Sequence, residues 1–266
     1  MRWLLKSAAQ NAFAVMPGGR RINRILQGDV ISHLIPEHLK HLKKINSVFG
    51  QKDATAVEIG TGWCPTIPLG LTIQGIVVHT YDHARHVTPA GISASRSSVG
   101  GDWNMVHYHA PGDGTTTGLP NDSVDFHFSI AVLEHIPNEI IVRLLREAHR
   151  ILRPGGILYH EIDLRDHFAE FDHSISSINF LRFNDFTWRL LGQNKISYQN
   201  RLRASDFLAL FRQSGFEIVN IETRVDEQAL STLRDLRIAN RFRHYDPSDL
   251  ATSVLTLTAR KPAVLP

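Results

Sequence analysis

From Ala54 onward, short apolar stretches alternate with amphipathic ones, and this alternation does more than any other feature to narrow the fold. The strand candidates are TAVEIG, IVVHTYD (76–82), MVHYHA (105–110), VDFHFSI (124–130), ILYHEID (157–163), FEIVNIET and SVLTLTARK. Between the fourth and fifth, Ile140, Ile141, Leu144, Leu145, Ala148 and Ile151 share one helical face behind Pro137. That helix must end before RPGG, because proline cannot continue it and glycine suits a left-handed exit. Ser205 is expected to cap a further helix over DFLALFRQS, stopped by Gly215. Strands alternating with helices predict an α/β, Rossmann-like, doubly wound and mostly parallel seven-stranded sheet. The last two strands lack a helix between them, which predicts an antiparallel edge strand.

Residues 1–50 read as an N-terminal helical extension, with breaks at Pro17-Gly18-Gly19 and Pro36, ahead of a main domain over 51–266. Within it, 164–204 forms neither a strand nor one continuous helix. That insert follows a strand end, where open sheets bind ligands. The formal charge is only +3, and the densest basic stretch, His38 to Lys44, alternates with apolar residues like the wet face of a helix. Nucleic acid is therefore not the expected partner. Cys64 is the single cysteine, which excludes an internal disulfide and a Cys-rich zinc site. No apolar run is long enough to cross a membrane, and Lys6, Gln10 and Asn11 interrupt what would be a signal-peptide core. A cytoplasmic protein is expected, and a homodimer through the N-terminal helices stays open.

The first strand runs into Gly60 and Gly62, which set bare backbone against a ligand at the mouth of the sheet. A dinucleotide turn would place a third small residue where Pro65 stands, and no Gly-Lys-Ser/Thr follows. The loop suits a nucleoside better than a dinucleotide, which weakens the reading as a nicotinamide-dependent oxidoreductase. Glu58 ends the first strand and Asp82 the second. A carboxylate at Asp82 can accept hydrogen bonds from ribose hydroxyls. Glu58, a charge beside a buried strand, needs a partner, and a cationic ligand would provide one.

These features, together with GLPNDSVDFHFSIAVLEHI and LLREAHRILRPGGILYHEID, resemble class I S-adenosylmethionine-dependent methyltransferases, closely over 54–163. The resemblance implies S-adenosyl-L-methionine as cofactor, lined by Glu58, Gly60, Thr61 and Gly62, with Asp82 on the ribose, Asp113 at the adenine amino group, and Ser129 in the same set. Cys64 departs from the family pattern, where many members carry the motif's last glycine. The form GTGWCPTIP, with DLRDH, NFLRF and NRLR further on, resembles a bacterial, small-molecule branch.

Methyl transfer is an in-line displacement in which the protein supplies alignment and proton removal. His135, just past the fourth strand, reads either as a general base or as part of the turn that orients the next helix. Asp163 and His167, after the fifth strand, are the other catalytic candidates. The HEIDLRDH set could instead hold a hard divalent metal, but no ligand spacing is diagnostic and no metal is expected. Within the insert, Phe180, Phe183, Phe186 and Trp188 read as a satellite core. Arg182, Arg201 and Arg203 are candidates to meet an anionic group, and Tyr198, Asn200 and Arg201 are the substrate contacts chosen. The expected function is methyl transfer to a small-molecule or glycan-type acceptor, at oxygen. A non-catalytic, RNA-directed protein on the same fold is the alternative from another class.

Overall fold

The computed structural model describes residues 2–16, 30–192 and 198–263. The break expected at Pro17-Gly18-Gly19 lies outside the described residues. In chain order the elements are α1 (Arg2–Val15), α2 (Val30–Val48), β1 (Thr55–Ile59), α3 (Thr66–Thr72), β2 (Val77–Tyr81), α4 (Pro89–Val99), β3 (Val106–His109) and β4 (Val124–Ile130). There follow α5 (Asn138–Ile151), β5 (Leu152–Asp163), α6 (Asp185–Leu191), α7 (Ala204–Gln213), β6 (Glu217–Val225), α8 (Glu227–Thr232), α9 (Pro247–Ala251) and β7 (Thr252–Arg260).

The strands form one seven-stranded sheet in the order β3-β2-β1-β4-β5-β7-β6. β1 to β5 pair in parallel, and β7 runs antiparallel to both β5 and β6. The expected antiparallel pairing is thus made by β7, lying between β5 and the edge strand β6. The order reverses between β1 and β4, which leaves a crevice at their carboxyl ends.

Period-two alternation sends the two sides of each strand into different layers. On one face, Val57, Leu158 and Ile162 pack under Ile141, Leu144, Leu145 and Ala148 of α5 and Phe207 and Phe211 of α7. On the other, Ala56, Val78, Phe126, Phe128 and Tyr159 pack under Leu42 and Ile45 of α2, Phe49, and Ile67 and Leu71 of α3. α2 is therefore not part of a layer apart but one of the helices that cover the sheet. Pro36 does not break it, because the packing of Leu42, Ile45 and Phe49 outweighs one missing backbone donor. The basic stretch presents the wet face expected of it, with Lys40, Lys43 and Lys44 exposed. Lys44 reaches Glu161 of β5 at 2.9 Å, with His41 3.5 Å from the same carboxylate. Burial raises the Glu161 pKa, but the contacts with His41 and Lys44 outweigh it and bring it to about 2.

A third cluster joins α1, the insert and the segment before β7. Trp3, Phe168, Phe180, Trp188, Phe242 and Leu250 are all buried in it, the satellite core expected of the insert aromatics; Phe186 is exposed. Arg201 and Arg203 belong to the same architecture, not to an anion site. Arg203 is fully buried and donates to the carbonyls of Leu164, Asp249, Leu250 and Thr252. Arg201 donates to the carbonyls of Phe180 and Phe183 and pairs with Asp185, its guanidinium lying against Trp188 and Phe242. With every face of the group covered, neither can meet an acceptor. Nor does Ser205 cap α7. The N-cap is Arg203, whose backbone N–H donates to Asp206 at 2.8 Å, while Ser205 lies in the first turn and bonds Asp249.

Candidate active site

The loop after β1 needs its two glycines for different reasons. Gly60 has φ +80°, and a Cβ there would lie 2.5 Å from Val132 of the turn after β4. Gly62 has φ +67° and faces open space, a cradle that a side chain would fill. Glu58, the β1 residue registered against Thr80 of β2, is buried. Its Oε2 accepts from the hydroxyls of Thr61 at 2.6 Å and Thr80 at 3.1 Å. Burial pushes the carboxyl up to about 7, against the pull of those hydroxyls. Among the described residues no cation is ion-paired with it.

Asp82 closes the other side. Its Oδ1 accepts from the Gly62 N–H at 3.4 Å and its Oδ2 from the Tyr108 hydroxyl at 2.9 Å, which leaves about half of a carboxylate's acceptor sites for a ligand. Burial raises its pKa, and the Tyr108 bond works against that. Tyr108 was not singled out in the sequence. Its hydroxyl also accepts from the backbone of His86 and Val87, so it sets the chain that follows Asp82. The available signal was alternation in β3, where His107 and His109 share the exposed face and Tyr108 points the other way.

Asp113 lies in the loop after β3 and turns Oδ1 back onto the N–H and hydroxyl of Thr115, at 2.9 and 2.8 Å. Ser129 does not fit the ligand set. It is fully buried, and its hydroxyl bonds His160 Nδ1 at 2.7 Å in the layer beneath α7, where His160 meets Phe211.

Past β4 the backbone takes a left-handed conformation at Ala131, φ 52°, and turns into a short 3-10 helix over Leu133–His135. A non-glycine residue held this way is strain of the kind that marks working sites. Asn200 clamps the turn. Its Nδ2 donates to the carbonyls of Leu133 and Ile136 at 2.7 and 2.9 Å, and its N–H to that of Glu134. Its Oδ1 accepts from Leu202. With all these groups engaged, Asn200 is a positioning residue and does not touch an acceptor, contrary to expectation. Tyr198 contributes its carbonyl, which His135 Nδ1 meets at 2.7 Å.

The turn brings His135 beside the end of β5. The rings of His135 and His167 lie 4.9 Å apart, edge to face, and His167 Nε2 is 3.6 Å from Asp163 Oδ2. Asp163 also holds Arg165 at 2.6 Å. Burial, with His167 adding to it, lowers the His135 pKa to about 4. Burial lowers that of His167 too, but the Asp163 charge more than offsets it and the net shift is upward. Asp163 is held well below the usual carboxylate range, its burial outweighed by His167 and Arg165. The three catalytic candidates thus stand together. Glu134, not singled out, stands with them: it is buried, neither oxygen accepts a hydrogen bond, and burial raises it to about 8.

Residues 83–160 match a family model described as a methyltransferase domain. That segment is a methyltransferase domain, and the fold is the Rossmann-like one of the S-adenosylmethionine-dependent methyltransferases. Solved structures share the fold of this methyltransferase at low identity. Phosphoethanolamine N-methyltransferase 2 of Haemonchus contortus, solved with S-adenosyl-L-methionine, has a TM-score of 0.52 at 16% identity, covering 84% of this chain and 52% of that one. A candidate sarcosine dimethylglycine methyltransferase of Galdieria sulphuraria has 0.50 at 13%, covering 86% and 84%. A candidate methyltransferase of Bacillus halodurans has 0.50 at 17%, covering 84% and 99%. No curated protein sequence matches the chain.

The Haemonchus contortus enzyme holds S-adenosyl-L-methionine. The crevice suits such a group: a glycine cradle, a buried carboxylate without a cation, and a second carboxylate with acceptor sites to spare. Among the described residues, no helix of the methyltransferase is long and apolar enough to cross a membrane.

Proposed function

We propose that this methyltransferase acts on an oxygen of a small-molecule or glycan-type acceptor seated against His135, Asp163 and His167. When bound, S-adenosylmethionine supplies a methyl group already activated by a sulfonium. Glu58, Gly60, Thr61 and Gly62 would hold its amino-acid and ribose side, with Asp82 on the ribose hydroxyls. A hydroxyl acceptor must lose a proton as its oxygen attacks, and the His135–Asp163–His167 cluster is where that proton leaves. The observation that carries the reading is the cluster itself. Two imidazoles and a carboxylate converge at the carboxyl ends of β4 and β5, beside the crevice at which open sheets bind ligands. An amine acceptor with a free lone pair has less need of such a group.

A nucleic-acid acceptor finds less support. Lys44 of the basic stretch is engaged by Glu161, with His41 beside the same carboxylate. Calorimetry with S-adenosylmethionine and S-adenosylhomocysteine, followed by a labelled-methyl screen of hydroxylated and amino acceptors, tests the reading. Micromolar binding of both nucleosides and turnover on hydroxylated compounds are expected. Turnover on amines alone would overturn the oxygen assignment.

A further inference from the structure

We propose that Glu134, His135 and His167 form a binding site for one divalent transition-metal ion, of the manganese, iron, cobalt, nickel or zinc class. Each offers one ligand atom, and these atoms all lie within 4.8 Å of one another. Metal bonds of about 2.0–2.2 Å set neighbouring ligand atoms on the order of 3 to 3.5 Å apart, so closure by roughly an ångström completes the set. Two imidazoles and one carboxylate on one side of an ion leave its other positions open. Imidazole ligands suit these ions, whereas magnesium and calcium prefer all-oxygen surroundings.

The independent sign is Glu134. It is buried, and neither of its oxygens accepts a hydrogen bond. A carboxylate taken from water without a donor is costly unless a cation or a proton compensates it. His135 is already oriented as a ligand. Its Nδ1 donates to the Tyr198 carbonyl, which leaves Nε2 as the acceptor and is the usual outer support of a metal-bound histidine. His167 Nε2 is buried without a hydrogen-bond partner, and Asp163 lies beside it at 3.6 Å. The ligands are two consecutive residues of one turn and a third over thirty positions later, a spacing that matches no sequence motif. Only the meeting of the β4 and β5 ends assembles it.

The inference rests on the methyl-transfer reading only for the role of the ion, which would lower the pKa of an acceptor hydroxyl; with the ion bound, the two imidazoles serve as its ligands and Asp163 is the member of the cluster left to take the proton. Binding itself stands on the geometry alone.

The test is a cobalt(II) titration of tag-free protein stripped with a chelator, read by equilibrium dialysis and by visible d–d absorption. One equivalent per chain is expected. Affinity should fall at least tenfold in Glu134→Gln and in His167→Ala, and stay unchanged in His109→Ala, which thins the exposed histidines of β2 and β3. No stoichiometric uptake, uptake indifferent to Glu134→Gln and His167→Ala, or loss in His109→Ala would each overturn the proposal. Electron paramagnetic resonance of copper-loaded wild type needs no variant: nitrogen couplings from two imidazoles are expected, and from none would sink it. Calorimetry with S-adenosylmethionine on the same samples keeps the two readings apart. Cobalt bound at this site without nucleoside binding would fail the methyltransferase reading alone, and the reverse would fail the metal alone.

Discussion

His135 Nδ1 meets the Tyr198 carbonyl at 2.7 Å, and because a carbonyl can only accept, the ring nitrogen there carries the proton and Nε2 is the acceptor. Removing that Nε2 removes a group at the proposed proton exit. His135→Ala should lower kcat by about 10²- to 10⁴-fold, the usual weight of a positioned proton-transfer group, with the S-adenosylmethionine Kd little changed. Parallel stopped-assay kinetics and calorimetry check it. A kcat within a factor of about two of wild type would remove His135 from the mechanism.

Asn200 acts on the same ring from behind. Asn200→Ala deletes two side-chain bonds to the carbonyls of Leu133 and Ile136 and the one from Leu202. At about 1 kcal/mol net per bond, a stability loss of about 2 to 3 kcal/mol in urea unfolding is expected. At temperatures where the variant stays folded, kcat should fall more than KM rises, since the turn that carries His135 is loosened.

Glu58 sets a pH dependence whose sign can be worked out. Its pKa is about 7 in the fold, against 4.5 for an ordinary glutamate. Between those values the folded chain holds a proton that the unfolded chain has lost, so the free protein loses stability as pH rises from about 4.5 to 7. A cationic ligand beside the ionised carboxylate reverses the balance. S-adenosylmethionine should therefore bind more tightly at pH 8 than at pH 6, and Glu58→Gln should flatten both trends. Thermal scans and calorimetry over that window, wild type against variant, separate Glu58 from the histidines. Identical profiles in the two proteins would rule out the role given to it.

The glycines of the loop should fail differently. Gly60→Ala meets Val132 at 2.5 Å as well as φ +80°, so the fold should lose about 2 kcal/mol or more and binding should fall with it. Gly62→Ala meets nothing but keeps φ +67°. It should cost stability only about 1 kcal/mol while weakening nucleoside binding strongly, because the methyl group projects into the cradle. Unfolding and titration on the same two variants check the contrast.

Arg203 sits far from that chemistry and holds the insert to the sheet. Arg203→Ala leaves buried carbonyls of Leu164, Asp249, Leu250 and Thr252 without their donor, and a loss of about 3 kcal/mol or more is expected. Arg203→Lys should recover little, because one ammonium lacks the planar fork that reaches several acceptors at once. Chemical denaturation measures both.

Sheet strands, the α5 helix, the glycine loop and the carboxylates at Glu58 and Asp82 were legible in the sequence, because each rests on local periodicity or on residues a few positions apart. So was the nearness of Asp163 to His167, four residues along one strand exit. The tertiary structure alone decided what long-range contacts decide. Arg201, Arg203 and Asn200 look like ligand-binding side chains in a line of text, yet each is consumed by backbone carbonyls that other segments bring to it. Ser129 is turned away from the crevice by the strand's pleat and taken by His160. Tyr108 gains its place from the pairing of β3 with β2, and Glu134 its isolation from the burial of a turn. A polar side chain's role depends on whether its hydrogen-bonding capacity is already spent, and for Asn200 a partner that spends it lies 67 positions away.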